Sequence, residues 1–260
     1  MKLRHLSIAM LACLALTYAA CKKSGSSATV DAKTVSSQVA LNLAQTLYSG
    51  YGGFNVTSGL SAPGTFGVDR DKIRLNLTKG RLAINDVGDD ITCGLQADTT
   101  FSTSVAINGV NSTVSGSIGF KFNCTNGTPS GFTETDALKI TESGAQSSGT
   151  ISFNEDLTMT QVTPGDDNST ISLNGTAGYD GALKVSGKAT SESYNYTFNQ
   201  VILNQDGTIA SGSATFNTKG SNGAGSWSYN GTVTFLGNGQ VKIVINGATY
   251  NVNLQTGVVG

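Results

Sequence analysis

From Gly53 to the C-terminus the apolar residues recur at every second position, interrupted by short Gly- and Asn-containing breaks. That period is the signature of strands that bury one face. Asn-Gly occurs at 108, 126, 174, 222, 230, 238 and 246, and Asp-Gly at 180 and 206. These pairs favour two-residue hairpin turns, because both central residues of a type I′ turn need positive φ. The spacing predicts an up-and-down antiparallel meander of roughly ten to thirteen strands. One earlier stretch differs, "TVSSQVALNLAQTLYS", where Val35, Val39, Leu43 and Leu47 follow at four-residue steps beside Ala40 and Ala44. It predicts an amphipathic helix over 34–49 with Thr34 as N-cap and Gly50 as C-cap, packed by its stripe on the sheet.

Registers can be tested on the pattern, since a one-residue slip turns every side chain to the other face. A turn at Asn246-Gly247 pairs Ile245 with Ala248 and Val241 with Val252, and the apolar faces coincide. Before it, a three-residue loop Gly237-Asn238-Gly239 with a G1 bulge sets Phe235 against Val241 and Val233 against Ile243. A tight hairpin at Asn230-Gly231 fails the test, so Ser226 to Leu236 reads as one strand with Trp227, Tyr229, Val233 and Phe235 on one face. If Asn108-Gly109 is a two-residue turn, Leu95 meets Phe122 and Cys93 meets Cys124. In an exported chain that pair forms a disulfide, with a bulge relieving a strained hydrogen-bonded position.

The N-terminus has a different logic. Lys2 and Arg4 precede the apolar "LSIAMLACLAL", and small residues lead to Cys21. This is the order of a secretory signal, too short to span a bilayer. The "YAAC" at 18–21 resembles the lipobox of bacterial lipoproteins. The resemblance implies cleavage before Cys21, a signal peptide over 1–20, acylation of the Cys21 thiol and new N-terminus, and a membrane as partner. Each buried CH₂ contributes about 0.8 kcal/mol, so two or more acyl chains anchor stably. The Ser-rich segment 21–33 then reads as a flexible tether, and 34–260 as a single β-rich domain. The expected location is the cell envelope, on the periplasmic face or cell surface of a diderm bacterium.

Composition removes several functions. The only histidine, His5, lies in the targeting segment, which excludes a Ser-His-Asp or Cys-His nucleophile and histidine-ligated zinc. Beyond residue 24 there are 12 basic against 17 acidic residues, a net charge near −5 that gives no electrostatic reason to hold nucleic acid. No cofactor motif is present. Calcium candidates are Asp86, Asp89 and Asp90 around Gly88, with Asp69, Asp71, Asp166 and Asp167 weaker, and turn formation is the plainer role for all of them. The nine Asn-x-Ser/Thr triplets, among them that at Asn230, follow from the composition. Trp227 and Tyr229, with Tyr194, Tyr196 and Phe198, are candidates for a sugar-stacking platform or a cavity lining, against the plainer role of core.

The fold expected is all-β, a long antiparallel meander forming a sandwich or partly open barrel with one N-terminal helix. The function expected is a non-enzymatic envelope lipoprotein with a structural or interaction role. A carrier of apolar ligands is an alternative, because a helix followed by a curved meander is similar in layout to the lipoprotein-carrier half-barrels. A carbohydrate-binding module using exposed rings is another. The possible partners are accordingly an envelope protein, an apolar ligand or a glycan.

Overall fold

The computed structural model describes residues 28–48, 93–107, 109–163, 169–204 and 208–260. Cys21, Gly50, Asp69, Asp71, Asp86, Asp89, Asp90, Asp166, Asp167 and Asp206-Gly207 lie outside them. The described chain forms one helix, α1 (Ala32–Tyr48), and ten strands. These are β1 (Gln96–Ile107), β2 (Val110–Thr125), β3 (Thr128–Gly144), β4 (Ser147–Gln161), β5 (Ile171–Val185), β6 (Lys188–Leu203), β7 (Ile209–Asn222), β8 (Gly225–Gly237), β9 (Gln240–Ile245) and β10 (Ala248–Asn253). All ten form a single antiparallel meander in sequence order, an open sheet rather than a closed one.

The three registers read from the apolar pattern are the observed ones: Gln96 faces Lys121, Phe235 faces Val241, and Ile245 faces Ala248. The turn between β8 and β9 is built differently from the expected three-residue loop. Gly237 pairs with Gln240, which leaves a two-residue Asn238-Gly239 turn with φ of 52° and 69°, and the extra residue sits inside the strand at Leu236. The displaced residue yields the same pairing of Phe235, so the apolar faces still meet. Other turns follow the type I′ rule at Asn126-Gly127, Ser186-Gly187 and Asn246-Gly247, all with positive φ at both positions. Asn174-Gly175 and Asp180-Gly181 are not turns. Both lie inside β5, where Gly175 pairs with Phe198 and Gly181 with Glu192.

The register sorts side chains into an inner face against α1 and an outer face. Val35, Val39, Leu43 and Leu47 of α1 are buried with Val233, Phe235, Val241, Ile243 and Ile245 of the sheet. The N-cap is Asp31, three residues before the expected Thr34. Its Oδ1 accepts from the Thr34 backbone N–H at 2.9 Å and its Oδ2 from the Thr34 hydroxyl at 2.7 Å. The helix thus starts where an acidic cap can satisfy its free N–H groups, and the Thr34 backbone N–H lowers the Asp31 carboxyl below its usual range. Tyr196 ties the helix to the middle of the sheet, its hydroxyl lying 3.0 Å from Asn42 Oδ1 and 3.2 Å from the Val39 carbonyl. Ser37 donates to the Gly257 carbonyl at 2.6 Å, and the tail after β10 turns back so that Val259 pairs with Val252. The far edge of β10 is therefore covered by the chain's own end.

At the opposite end, Cys93 and Cys124 are joined in a disulfide across a separation of 31 residues. In the loop-entropy account such a closure stabilises a fold by about 3–4 kcal/mol. The register shift between Asn123 and Cys124 belongs to the pairing of β2 with β3. On the side facing Cys93, Gly94, at φ 79°, donates to the Phe122 carbonyl at 3.2 Å while Phe122 donates to the Leu95 carbonyl at 2.8 Å, so two residues oppose one beside the disulfide.

Inner-face glycines let rings lie flat on the sheet. At Gly231 an added Cβ would stand 2.6 Å from Cε1 and Cζ of the Phe216 ring and would press on the Val244 carbonyl oxygen. The strand cannot move away because β7 and β9 hold it on both sides. Gly231→Ala is therefore expected to destabilise the fold by about 1–3 kcal/mol. Urea unfolding of the variant measures this, and an unchanged midpoint would contradict the packing described.

Candidate functional site

The aromatic residues read as a possible sugar platform share the inner face and are largely buried there, and Trp227 is also among the residues lining a groove across β4 to β7. Trp227 is 4% exposed and Tyr194, Tyr196 and Phe198 are 2% each. The Trp227 indole lies against Gly220 and its Nε1 donates to Thr218 Oγ1 at 3.1 Å. Tyr229 is half-buried and donates to the Val30 carbonyl at 2.8 Å, fixing the chain just before α1. The rings are core: Tyr196 bonds to α1 at Val39 and Asn42, and Trp227, Tyr194 and Phe198 are buried along the inner face of the sheet. Cys93 and Cys124, the other predicted pair among the described residues, do meet.

Acidic side chains give the inner face a second character. The sequence contains four glutamates, Glu134, Glu142, Glu155 and Glu192, and the register places all of them on the inner face. Glu134, Glu142 and Glu155 are less than a tenth exposed. Asp136 joins them, facing Glu155 directly across β3 and β4. Burial raises the Glu142 carboxyl above its usual range. Its cross-strand neighbour Ser112 is buried too, and Glu142 Oε1 and Ser112 Oγ have no hydrogen-bond partner.

Glu192 is held more fully. Tyr179 and Tyr194 donate to its two carboxylate oxygens at 3.2 Å and 3.3 Å. Burial nevertheless raises its carboxyl above the usual range, against the opposing effect of the two hydroxyls. Burial also pushes the hydroxyls of Tyr194 and Tyr196 well above an ordinary phenol, with the charge of Glu192 adding to it.

The outer face is polar and mostly neutral. Asn154, Asn195, Asn217 and Asn230 lie in one rank across the strands, with Gly178 between the first two. Thr135, Asp156, Thr176, Thr197, Thr215 and Thr232 form the next rank. Those threonines are exposed, and cross-strand neighbours stand about 4.7–4.9 Å apart. Beyond the asparagines a third rank runs Lys139, Ser152, Asp180, Ser193, Lys219, alternating charge with hydroxyl. A fourth includes Thr150, Ala182, Ser191 and Ser221. Between these last two ranks, across β4 to β7, lies an open groove of about 480 Å³. Asp180 and Lys219 line it along with Thr150, Ser152, Ser193 and Ser221.

Sequence reasoning missed this groove, whose lining is drawn from separate strands. The local signal the sequence does carry, the outward dyads "NYT" at 195–197, "TFN" at 215–217 and "NGT" at 230–232, marks the neighbouring Asn and Thr ranks, with the order alternating as the strands alternate direction. Two of these are the Asn-x-Thr triplets read as chance. Among the described residues there is no group of three or more His, Cys, Asp or Glu arranged to hold a metal ion.

The raised carboxyl of Glu192 sets a pH dependence. A group whose folded-state value is raised favours the folded chain below its unfolded value, and that contribution is lost as pH rises through the folded value. Glu192→Gln removes the charge that must be desolvated, so the variant should gain stability relative to wild type as pH rises from about 4 to about 8. Thermal unfolding of both chains across that range measures it, and a constant difference would contradict it. No family model matches the chain, and no curated protein or solved structure matches it.

Proposed function

We propose that the chain is an exported, lipid-anchored protein of the cell envelope that works by binding and not by catalysis. The observation carrying this reading is how the sheet divides its side chains. The large rings are spent on an inner face filled beneath α1, while the outer face of β4 to β8 presents Asn, Thr and Ser to the surroundings. An enzyme of this chain would have to work without an imidazole, since the only one precedes Cys21. A carrier of apolar ligands needs an enclosed apolar chamber. The space under α1 is instead occupied by Val39, Leu43, Tyr196, Val233 and Ile243, each 2% exposed or less.

The address rests on the residues around Cys21. With acyl chains on that thiol and only residues 22–27 between it and Ala28, whose carbonyl accepts from the Ser226 N–H, the sheet is held close to a membrane. Metabolic labelling with an alkyne palmitate, followed by fractionation, tests it. The wild-type chain should carry label and sediment with membranes, and Cys21→Ser should carry none and leave the membrane fraction. An unlabelled wild-type chain, or a Cys21→Ser chain that remains membrane-bound, would contradict the anchor.

A further inference from the structure

We infer that the outer-face groove across β4 to β7 is a binding site for a neutral glycan chain, a ligand class that rests on the anchored-binder reading and makes it specific. The groove has the size of a small-ligand site, about 480 Å³, but it is open along its length, which suits a segment of a polymer better than an enclosed molecule.

Its chemistry is that of sugar recognition. Ser152, Asp180, Ser193 and Lys219 follow one another on four adjacent strands, with the exposed acceptor Asp180 and donor Lys219 on either side of Ser193, which is buried and accepts from Asn195 Nδ2 at 3.3 Å. Asp180 and Lys219 stand two strands apart, about 9–10 Å between backbones. Both are exposed, and neither makes an ion pair or a side-chain hydrogen bond to the protein. A carboxylate with both oxygens open accepts from two adjacent sugar hydroxyls, and an ammonium donates to a hydroxyl or acetamido oxygen on the next unit. The hydroxyls of Thr150, Ser152 and Ser221 serve either way. The lining carries two carboxyl side chains, Asp180 and Glu192, and one ammonium, Lys219, so it has no excess of positive charge, which selects against polyanions such as nucleic acid or sulfated polysaccharide.

The neutral rank beside the groove extends the same chemistry. Asn195 and Asn217 are exposed cross-strand neighbours, each with amide donors and an acceptor, and Thr197 and Thr215 repeat the pairing one rank further. A chain leaving the groove along the strands therefore stays over hydrogen-bonding side chains. Sheet rigidity keeps these groups in place before the ligand arrives, which lowers the ordering cost of binding.

The test is calorimetric titration of the full-length acylated chain, in a detergent lacking a sugar headgroup, with cellohexaose, laminarihexaose and chitohexaose, and with heparin as a polyanion. At least one neutral hexasaccharide should bind, and Asp180→Asn and Lys219→Met should each weaken it about tenfold with melting temperature unchanged. Those substitutions are at exposed positions away from the core, so the fold should tolerate them. Three results would overturn the inference: no neutral hexasaccharide bound at millimolar concentration, binding unaltered in the double variant, or heparin bound in preference to all three. Any of these would leave the anchored-binder reading standing, because that reading is tested through Cys21 labelling and not through this groove.

Discussion

Cross-strand register is the constraint on which the rest of this molecule depends. Side chains along a strand alternate between two faces, so a slip of one residue would carry every inner ring outward and every outer threonine inward. Nine consecutive pairings hold a single alignment from Gln96 to Asn253, and the departures from it are confined to a few bulges. In β6, Asn199 and Gln200 form such a bulge. Gln200 takes a φ of 48° and donates its N–H to Asn174 Oδ1 at 2.8 Å. The extra residues let Tyr196, Phe198, Val201 and Leu203 all remain buried although their spacing is not strictly two.

Much of the fold was legible because that alternation is written directly in the chain. The helix stripe, the three hairpin registers, the disulfide pair and the continuous β8 strand all follow from asking which alignment brings apolar faces together. The errors have a common cause. Asn-Gly and Asp-Gly report that the backbone can turn, and not that it must. At 174 and 180 the glycines sit within a strand whose neighbours are already paired, and cross-strand hydrogen bonding outweighs local turn preference. Ser186-Gly187 makes a hairpin turn with weaker local preference because the strands on both sides are aligned for it. Thr34 was the plausible cap by type, yet Asp31 offers two oxygens to the same residue.

The site was harder to see. A rank across a sheet draws one residue from each strand, so successive members of the groove's two ranks lie from 9 positions apart, Ala182 to Ser191, to 32, Thr150 to Ala182. Asp180 and Lys219 come onto one rank only once β5, β6 and β7 are aligned. The four glutamates show the same thing in reverse. Each lies among polar residues in sequence, and only the register reveals that all point toward the apolar side, where burial raises the carboxyls of Glu142 and Glu192 above their usual range. The proposed function rests on the same division: rings and glutamates on one face, mostly neutral hydrogen-bonding groups on the other.

The most direct measurement is the pattern of interstrand proton contacts in the NMR spectrum of the labelled protein. The register places the Tyr196 ring beside Phe216, whose own ring covers Gly231, and sets the Thr197 methyl beside Thr215. Nuclear Overhauser contacts between those groups, with Thr197 remote from the Phe216 ring, are the result expected. Contacts from Thr197 to the Phe216 ring, with Tyr196 at the water-facing surface, would show the strands displaced by one residue and would contradict the division of faces from which the function was argued.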